Sequence, residues 1–171
     1  MNTRYTVKYR RRREGKTNYS DRIKLIKSGK NILVFRKLAR TMIGQIVSFS
    51  DKGDIVISSI NSKELAKYGW NGSKNNIPAA YLSGFLLAKK AKDQKGELVT
   101  NFGIINPTKG CSKYAFLKGV IDGGLQVAHS PDSFPEESRI KGEHIAAYSK
   151  SEESKKTVNV FEEVKKKIES I

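Results

Sequence analysis

Cysteine, histidine and acidic side chains are scarce in this chain, and each scarcity removes a class of function. There is one cysteine, Cys111, and there are two histidines, His129 and His144. A single thiol forms no intramolecular disulfide, and three such residues without zinc-finger spacing make no structural zinc site. The expectation is a reduced, cytoplasmic protein with no metal and no other cofactor. No run of about 18 apolar residues occurs, and the charged first residues lead into no apolar segment, so neither a membrane span nor secretion is expected. A polybasic segment holds durably to anionic lipid only with a lipid chain or an apolar anchor, and no lipidation motif is present. Nor is there a repeat at solenoid periods.

Acids number 17 against 33 Lys and Arg, a formal charge of +16. Most of that excess lies at one end, since residues 1–40 carry fourteen bases and two acids. Arg10-Arg11-Arg12-Arg13 sits at its centre. Four adjacent guanidinium groups repel one another and destabilise compact structure unless an anion lies between them, so the run implies a polyanion. Tyr5, Tyr9 and Tyr19 flank it with flat faces suited to stacking on bases or riboses, and Arg offers phosphate a bidentate fork that Lys lacks. The plainer alternative, a localisation signal or solubility tail, uses the same composition.

A length of 171 residues with 37% apolar content fits one compact domain with appendages. Residues 1–20 show no hydrophobic periodicity and read as an arm, extended or disordered until bound. Asp21 to Lys27 fits one or two helical turns. Three β-branched or alternating runs follow, Ile32 to Arg36, Thr41 to Phe49 and Ile55 to Ile60, with Ser50-Asp51-Lys52-Gly53-Asp54 as hairpin-turn chemistry between the second and third. A short turn capped by Ser62 covers Asn61 to Lys67. Pro78 to Lys92 has the Pro, the apolar stripe and the terminal lysines of a helix. Leu98 to Ile105 then reads as a strand returned by a crossover, parallel to one of the meander. A second helix runs from about Cys111 to Ile121 and ends at Gly123-Gly124. The predicted fold is α/β, a mixed sheet of a three-strand antiparallel meander plus one parallel strand with packed helices, in ribonuclease-H-like topology behind a basic arm. Ser138 to Ser149 fits one more helix. Beyond a charged linker, Phe161, Val164 and Ile168 make a helical stripe that needs a docking surface. The organisation is thus an arm over 1–20, a domain over 21–149, and a linker with a short terminal helix over 150–171.

An enzyme of this topology would need several carboxylates converging on divalent metal. The acids do not supply them. Asp51 and Asp54 fall in the hairpin turn, Asp122 ends a helix, Glu64 lies in a cap, and the first, second and fourth strands contain no acid. Cys111 at the mouth of a helix is better read as a small buried or capping residue than as a nucleophile. His129 and His144 have no identifiable base or ligand partner. Pro107-Thr108-Lys109-Gly110, between strand and helix, offers amides and a Lys to an anion, though it is no Walker loop. Trp70, the only Trp, lies in a glycine-containing loop beside Lys67 and Lys74, where it could stack on a base or close the core.

Several blocks stand together in order: Arg10 to Tyr19; Ser28-Gly29-Lys30 before Leu33-Val34-Phe35-Arg36-Lys37; Gly53-Asp54; Glu64 to Trp70; Pro78 to Leu82; Pro107 to Gly110; Leu117-Lys118-Gly119 with Asp122 to Leu125; and Arg139 to Ala146. Over about residues 4–150 this pattern resembles the archaeal and eukaryotic branch of the large-subunit ribosomal protein family, universal number eighteen, that binds 5S rRNA. The Lys37-Leu38-Ala39-Arg40 turn departs from the family's polar pattern, and Asn31-Ile32 stand where the family often has Pro-Arg. The short tail after Ser149 favours the archaeal type. The resemblance implies a structural constituent of the large subunit with no catalysis, anchoring 5S rRNA to large-subunit rRNA in the central protuberance. It also implies neighbouring ribosomal proteins, including the other 5S rRNA binder, and no membrane. The residues expected at RNA are Lys8, Tyr9, Arg10, Arg11, Arg12, Arg13, Lys16, Tyr19, Arg22, Lys24, Arg36, Lys37, Arg40, Trp70 and Lys109. The alternative is a free RNA chaperone or an RNA-processing enzyme.

Overall fold

In the computed structural model, residues 6–94, 96–104, 106–148 and 156–170 are described. The strands are β1 (Ile32–Lys37), β2 (Met42–Ser48), β3 (Ile55–Asn61) and β4 (Val99–Asn101), in the order β3-β2-β1-β4. β1 and β2 pair antiparallel, as do β2 and β3, and β4 runs parallel to β1 with Ile32 opposite Val99. The predicted meander and crossover are both present. Among the described residues, four strands and a single parallel bridge from Leu98 to Val127 do not by themselves establish the ribonuclease-H-like assignment.

Alternation along the strands decides which side of the sheet is covered. Leu33, Phe35, Met42 and Ile46 point to one side and are fully buried there, whereas Val34, Ile43 and Gln45 on the other are half-buried. The covered side receives α3 (Ile77–Lys90) and α4 (Ser112–Asp122). Phe35 meets Phe116 of α4 with ring centroids 4.6 Å apart. Every residue of α3 from Pro78 to Ala88 is buried, which explains a helix apolar on all sides rather than along one stripe. Asn76 caps it by accepting the Ala79 amide. Between α3 and α4 the Tyr81 phenol donates to Asp122 Oδ2 at 2.7 Å. Burial, reinforced by that bond, pushes the phenol pKa up.

The last long helix, α7 (Thr157–Glu169), settles the question its stripe posed. Phe161, Val164 and Ile168 are buried in the domain's own core, and the Phe161 ring lies 5.6 Å from that of Tyr81. Ahead of it, the predicted Ser138–Ser149 helix is two pieces, α5 (Glu137–Lys141) and α6 (Glu143–Tyr148), with Ser149 outside the described residues. Gly142, at φ 88°, occupies the left-handed region that ends the first piece.

Other boundaries moved for local reasons. Asn61, not Ser62, caps the 3-10 helix Ser62–Tyr68, with Glu64 completing a capping box. The Ser62 hydroxyl instead accepts the Met42 amide inside the core. β4 stops at Asn101 because the Asn101 side chain takes the Gly103 amide and turns the chain. Ile105, the predicted end of that strand, lies outside the described residues. The arm is not wholly extended: Arg10–Arg13 forms one turn, α1. Glu14 offsets the repulsion within it, lying 3.8 Å from Arg10 and 2.7 Å from Lys16. α2 spans Tyr19–Lys27, so the division at residues 20 and 21 cuts a helix. Neither α1 nor α2 buries a residue.

Candidate RNA interface

The arm presents its bases to solvent. Lys8, Tyr9, Arg10, Arg11, Arg12, Arg13 and Lys16 are all exposed, and so are Lys24, Lys37, Arg40 and Lys109. Tyr9 and Tyr19 meet at 5.4 Å between ring centroids, tilted by 56°, which holds an aromatic pair beside the four arginines. Tyr9 keeps 76% of its surface open. Tyr5 lies outside the described residues.

Two of the expected arginines are committed to the protein. Arg22 of α2 makes a fork-to-fork pair with Asp54, at 2.8 and 3.0 Å. The bond to that carboxylate raises its pKa further. Arg36 is half-buried and donates to the Asn101 carbonyl at 2.7 Å and to Asn101 Oδ1 at 3.2 Å, stitching β1 to β4. Burial lowers its pKa. Because guanidinium is rigid and planar, both pairs fix direction as well as distance. The sequence pointed to neither Asp54 nor Asn101 in these roles, since their partners stand 32 and 65 residues away. A further crevice brings Arg11, Lys16, Arg22 and Arg36 together where the arm meets the ends of β1 and β4.

Trp70 corrects the expectation of stacking. It is 1% exposed, and its indole Nε1 donates to the Ser73 carbonyl at 3.0 Å. A ring so enclosed closes the core and offers no face to a base. Its loop braces the Lys37–Arg40 turn instead, where the Asn75 amide donates to the carbonyls of Leu38 and Ala39. Lys109 stands apart from the arm's crevice, and the neighbouring Gly110 amide is already bonded to the Ser133 carbonyl at 3.0 Å.

Among the described residues no group of three His, Cys, Asp or Glu could hold a metal ion. Cys111 is the half-exposed residue preceding α4. His129 lies 2.8 Å by its Nδ1 from the Val127 carbonyl, against the Phe134 ring, and His144 is on the exposed surface of α6. Asp54 is an anchor for α2. Replacing it by Asn removes one acid beside the basic surface and an ion pair that, exposed as it is, contributes about 0–1 kcal/mol. Asp54→Asn is expected to leave the melting temperature within about 2 °C and RNA affinity equal or slightly raised. A fivefold or greater loss in filter binding at about 100 mM salt would show instead that RNA needs α2 tethered.

The described residues thus make a mixed sheet covered by helices on one side, with a base-rich arm exposed to solvent and no acidic cluster fit to hold a metal ion. The family described as "Ribosomal large subunit proteins 60S L5, and 50S L18" matches residues 3–98. Large ribosomal subunit protein uL18 of Korarchaeum cryptofilum is 50% identical over 147 residues, covering 85% of this chain and 75% of the relative. Its counterpart from Thermofilum pendens is 51% identical over 148 residues, 86% and 76% of the two chains. That of Methanococcoides burtonii is 46% identical over 166 residues, 96% and 94%, a span that reaches into the segment after Ser149. The chain belongs to the uL18 family of large ribosomal subunit proteins, structural constituents and not enzymes.

Proposed function

We propose that the chain binds 5S rRNA and anchors it to large-subunit rRNA in the central protuberance, beside the other 5S rRNA-binding protein. One observation carries this reading: the basic segment through Lys27 buries none of its helical residues in the domain, so its cations other than Arg22 and its tyrosine pair face outward toward a polyanion. Lys8, Tyr9, Arg10 to Arg13, Lys16, Tyr19, Lys24, Lys37, Arg40 and Lys109 contact RNA in this reading, with Arg22 and Arg36 setting the shape beneath them. Affinity comes from phosphate neutralisation and counterion release. Selectivity comes from shape, because A-form helices hide their major groove and leave phosphates, 2′-hydroxyls and unpaired bases to be recognised.

Competition of 5S rRNA against tRNA and a plain RNA duplex, at several salt concentrations, tests it. A preference for 5S rRNA of about tenfold or more that survives moderate salt is expected. Equal affinity for all three, vanishing together as salt rises, would leave a general cationic binder and overturn the assignment.

A further inference from the structure

Where the arm folds back toward the sheet, it closes a crevice of about 130 Å³, many times the roughly 10–15 Å³ that one water needs. Its chemistry differs from that of the surrounding arm. Leu25 of α2 and Ile104 beyond β4 give it apolar sides; Lys16 and Arg22 border it already paired with Glu14 and Asp54, and Arg11 and Arg36 bring guanidinium groups to it. Both groups are held in place, Arg36 by Asn101 and Arg11 by donation from its Nε to Thr17 Oγ1 at 2.9 Å. The bond to Thr17 leaves the terminal nitrogens of Arg11 available as donors. Asp21 also lines the space, and it is one of only two acids among the first forty residues. Asn18 Nδ2 donates to its Oδ2 at 2.6 Å, which fixes the carboxylate at the opening of α2.

A recess built for phosphate alone gains nothing from apolar sides and is weakened by a carboxylate. A nucleobase uses all three features. Its faces pack on aliphatic side chains, and its edge is read by hydrogen bonds once it is splayed out of a stack. A carboxylate only accepts, so it selects an edge with donors. On the Watson–Crick edge guanine alone sets two donors side by side, its N1–H and its amino group, whereas adenine, cytosine and uracil each offer one.

We infer that this crevice takes a single unpaired guanine nucleotide of the bound RNA. The base lies between Leu25 and Ile104 with its N1–H and amino group on Asp21, and Arg11 meets the O6 edge or the attached phosphate. The inference rests on the reading that the chain binds RNA. Asp21 has a plainer role open to it, an acid in the first turn of α2 where the helix dipole favours one. The two roles differ in sign. If the acid serves only the helix, removing its charge strengthens binding to every RNA; if it reads a base, removal costs guanine in particular.

The test uses the full chain and four RNA hairpins identical except for one bulged nucleotide, G, A, C or U, with affinity read by fluorescence anisotropy at about 150 mM salt. The G hairpin is expected to bind about tenfold or more tighter than the other three. Asp21→Asn is expected to bring all four within about twofold, leaving the A, C and U hairpins bound at least as tightly as before. Ile104→Trp fills the slot while keeping the acid, at a position 48% exposed where the fold tolerates it, and should erase the preference likewise. Equal binding of the four hairpins by the unaltered chain, or a preference that survives Asp21→Asn, overturns the guanine site while the RNA reading stands. Failure to bind any hairpin removes both.

Discussion

Gly119→Ala is expected to destabilise the fold by about 3 kcal/mol and to lower its melting temperature by about 6–12 °C. A methyl group at Gly119 would overlap the Tyr81 carbonyl oxygen and stand 3.0 Å from the Phe85 amide nitrogen, both of them backbone atoms of α3. A flexible side chain could swing aside, but a helix backbone cannot move without disturbing everything α3 touches, and α3 is the element with a buried surface all round. Gly84 meets α4 from the other side, its missing side chain leaving room for the Phe116 carbonyl. The opposing effect is real, since Ala exceeds Gly in helix propensity by about 1 kcal/mol. Overlap with backbone outweighs it. Thermal unfolding followed by circular dichroism decides the matter: a melting temperature unchanged or raised would mean that the two helices can part without cost. Gly84→Ala should behave in the same way, and the two losses should not add, because either one alone separates the same pair.

This close crossing shows what the sequence could and could not reveal. The three meander strands were readable because β-branched runs bounded by Gly, Asp and Asn have few other uses. α3 was readable from its cap, its Pro and its terminal lysines. That Gly84 and Gly119 face each other was not, since a glycine inside a helix reads locally as a weakness and only the partner's backbone gives it a purpose. The same holds for α7. Its stripe of Phe161, Val164 and Ile168 announces that something must cover it, yet the covering surface on α3 lies some eighty residues back in the chain.

The basic surface divides along a similar line. The arginine run and the tyrosines are local signals, and their exposure follows from composition. Arg22 and Arg36 looked equivalent to the others because a sequence does not say which cations will find a carboxylate or a carbonyl within the fold. Asp54 and Asn101 make that choice through tertiary contacts. Trp70 was ambiguous for a related reason: a loop of Gly, Asn and Ser permits exposure or closure alike, and the indole donates inward to Ser73. Asp21 reads as the start of one or two helical turns and Asn18 as part of the arm, and only the fold sets both in one crevice with Ile104 and Arg36.

Deleting residues 1–17 should separate folding from binding. The segment carries seven bases and one acid, and its described helical turn buries nothing, while Asn18 is retained to cap α2. The melting temperature should therefore stay within about 2 °C. RNA binding should not. Losing six net positive charges that neutralise phosphates is expected to reduce the logarithmic salt slope by about four. The deficit should then be about a thousandfold near 50 mM salt and shrink to less than about tenfold near 200 mM, where counterions already compete with the intact arm. Salt dependence is the informative readout, because a misfolded chain would lose affinity at every salt concentration alike. An unchanged affinity and slope would mean that the arm touches no phosphate, and the RNA contacts would have to be sought on Tyr19, Lys24, Lys37, Arg40 and Lys109.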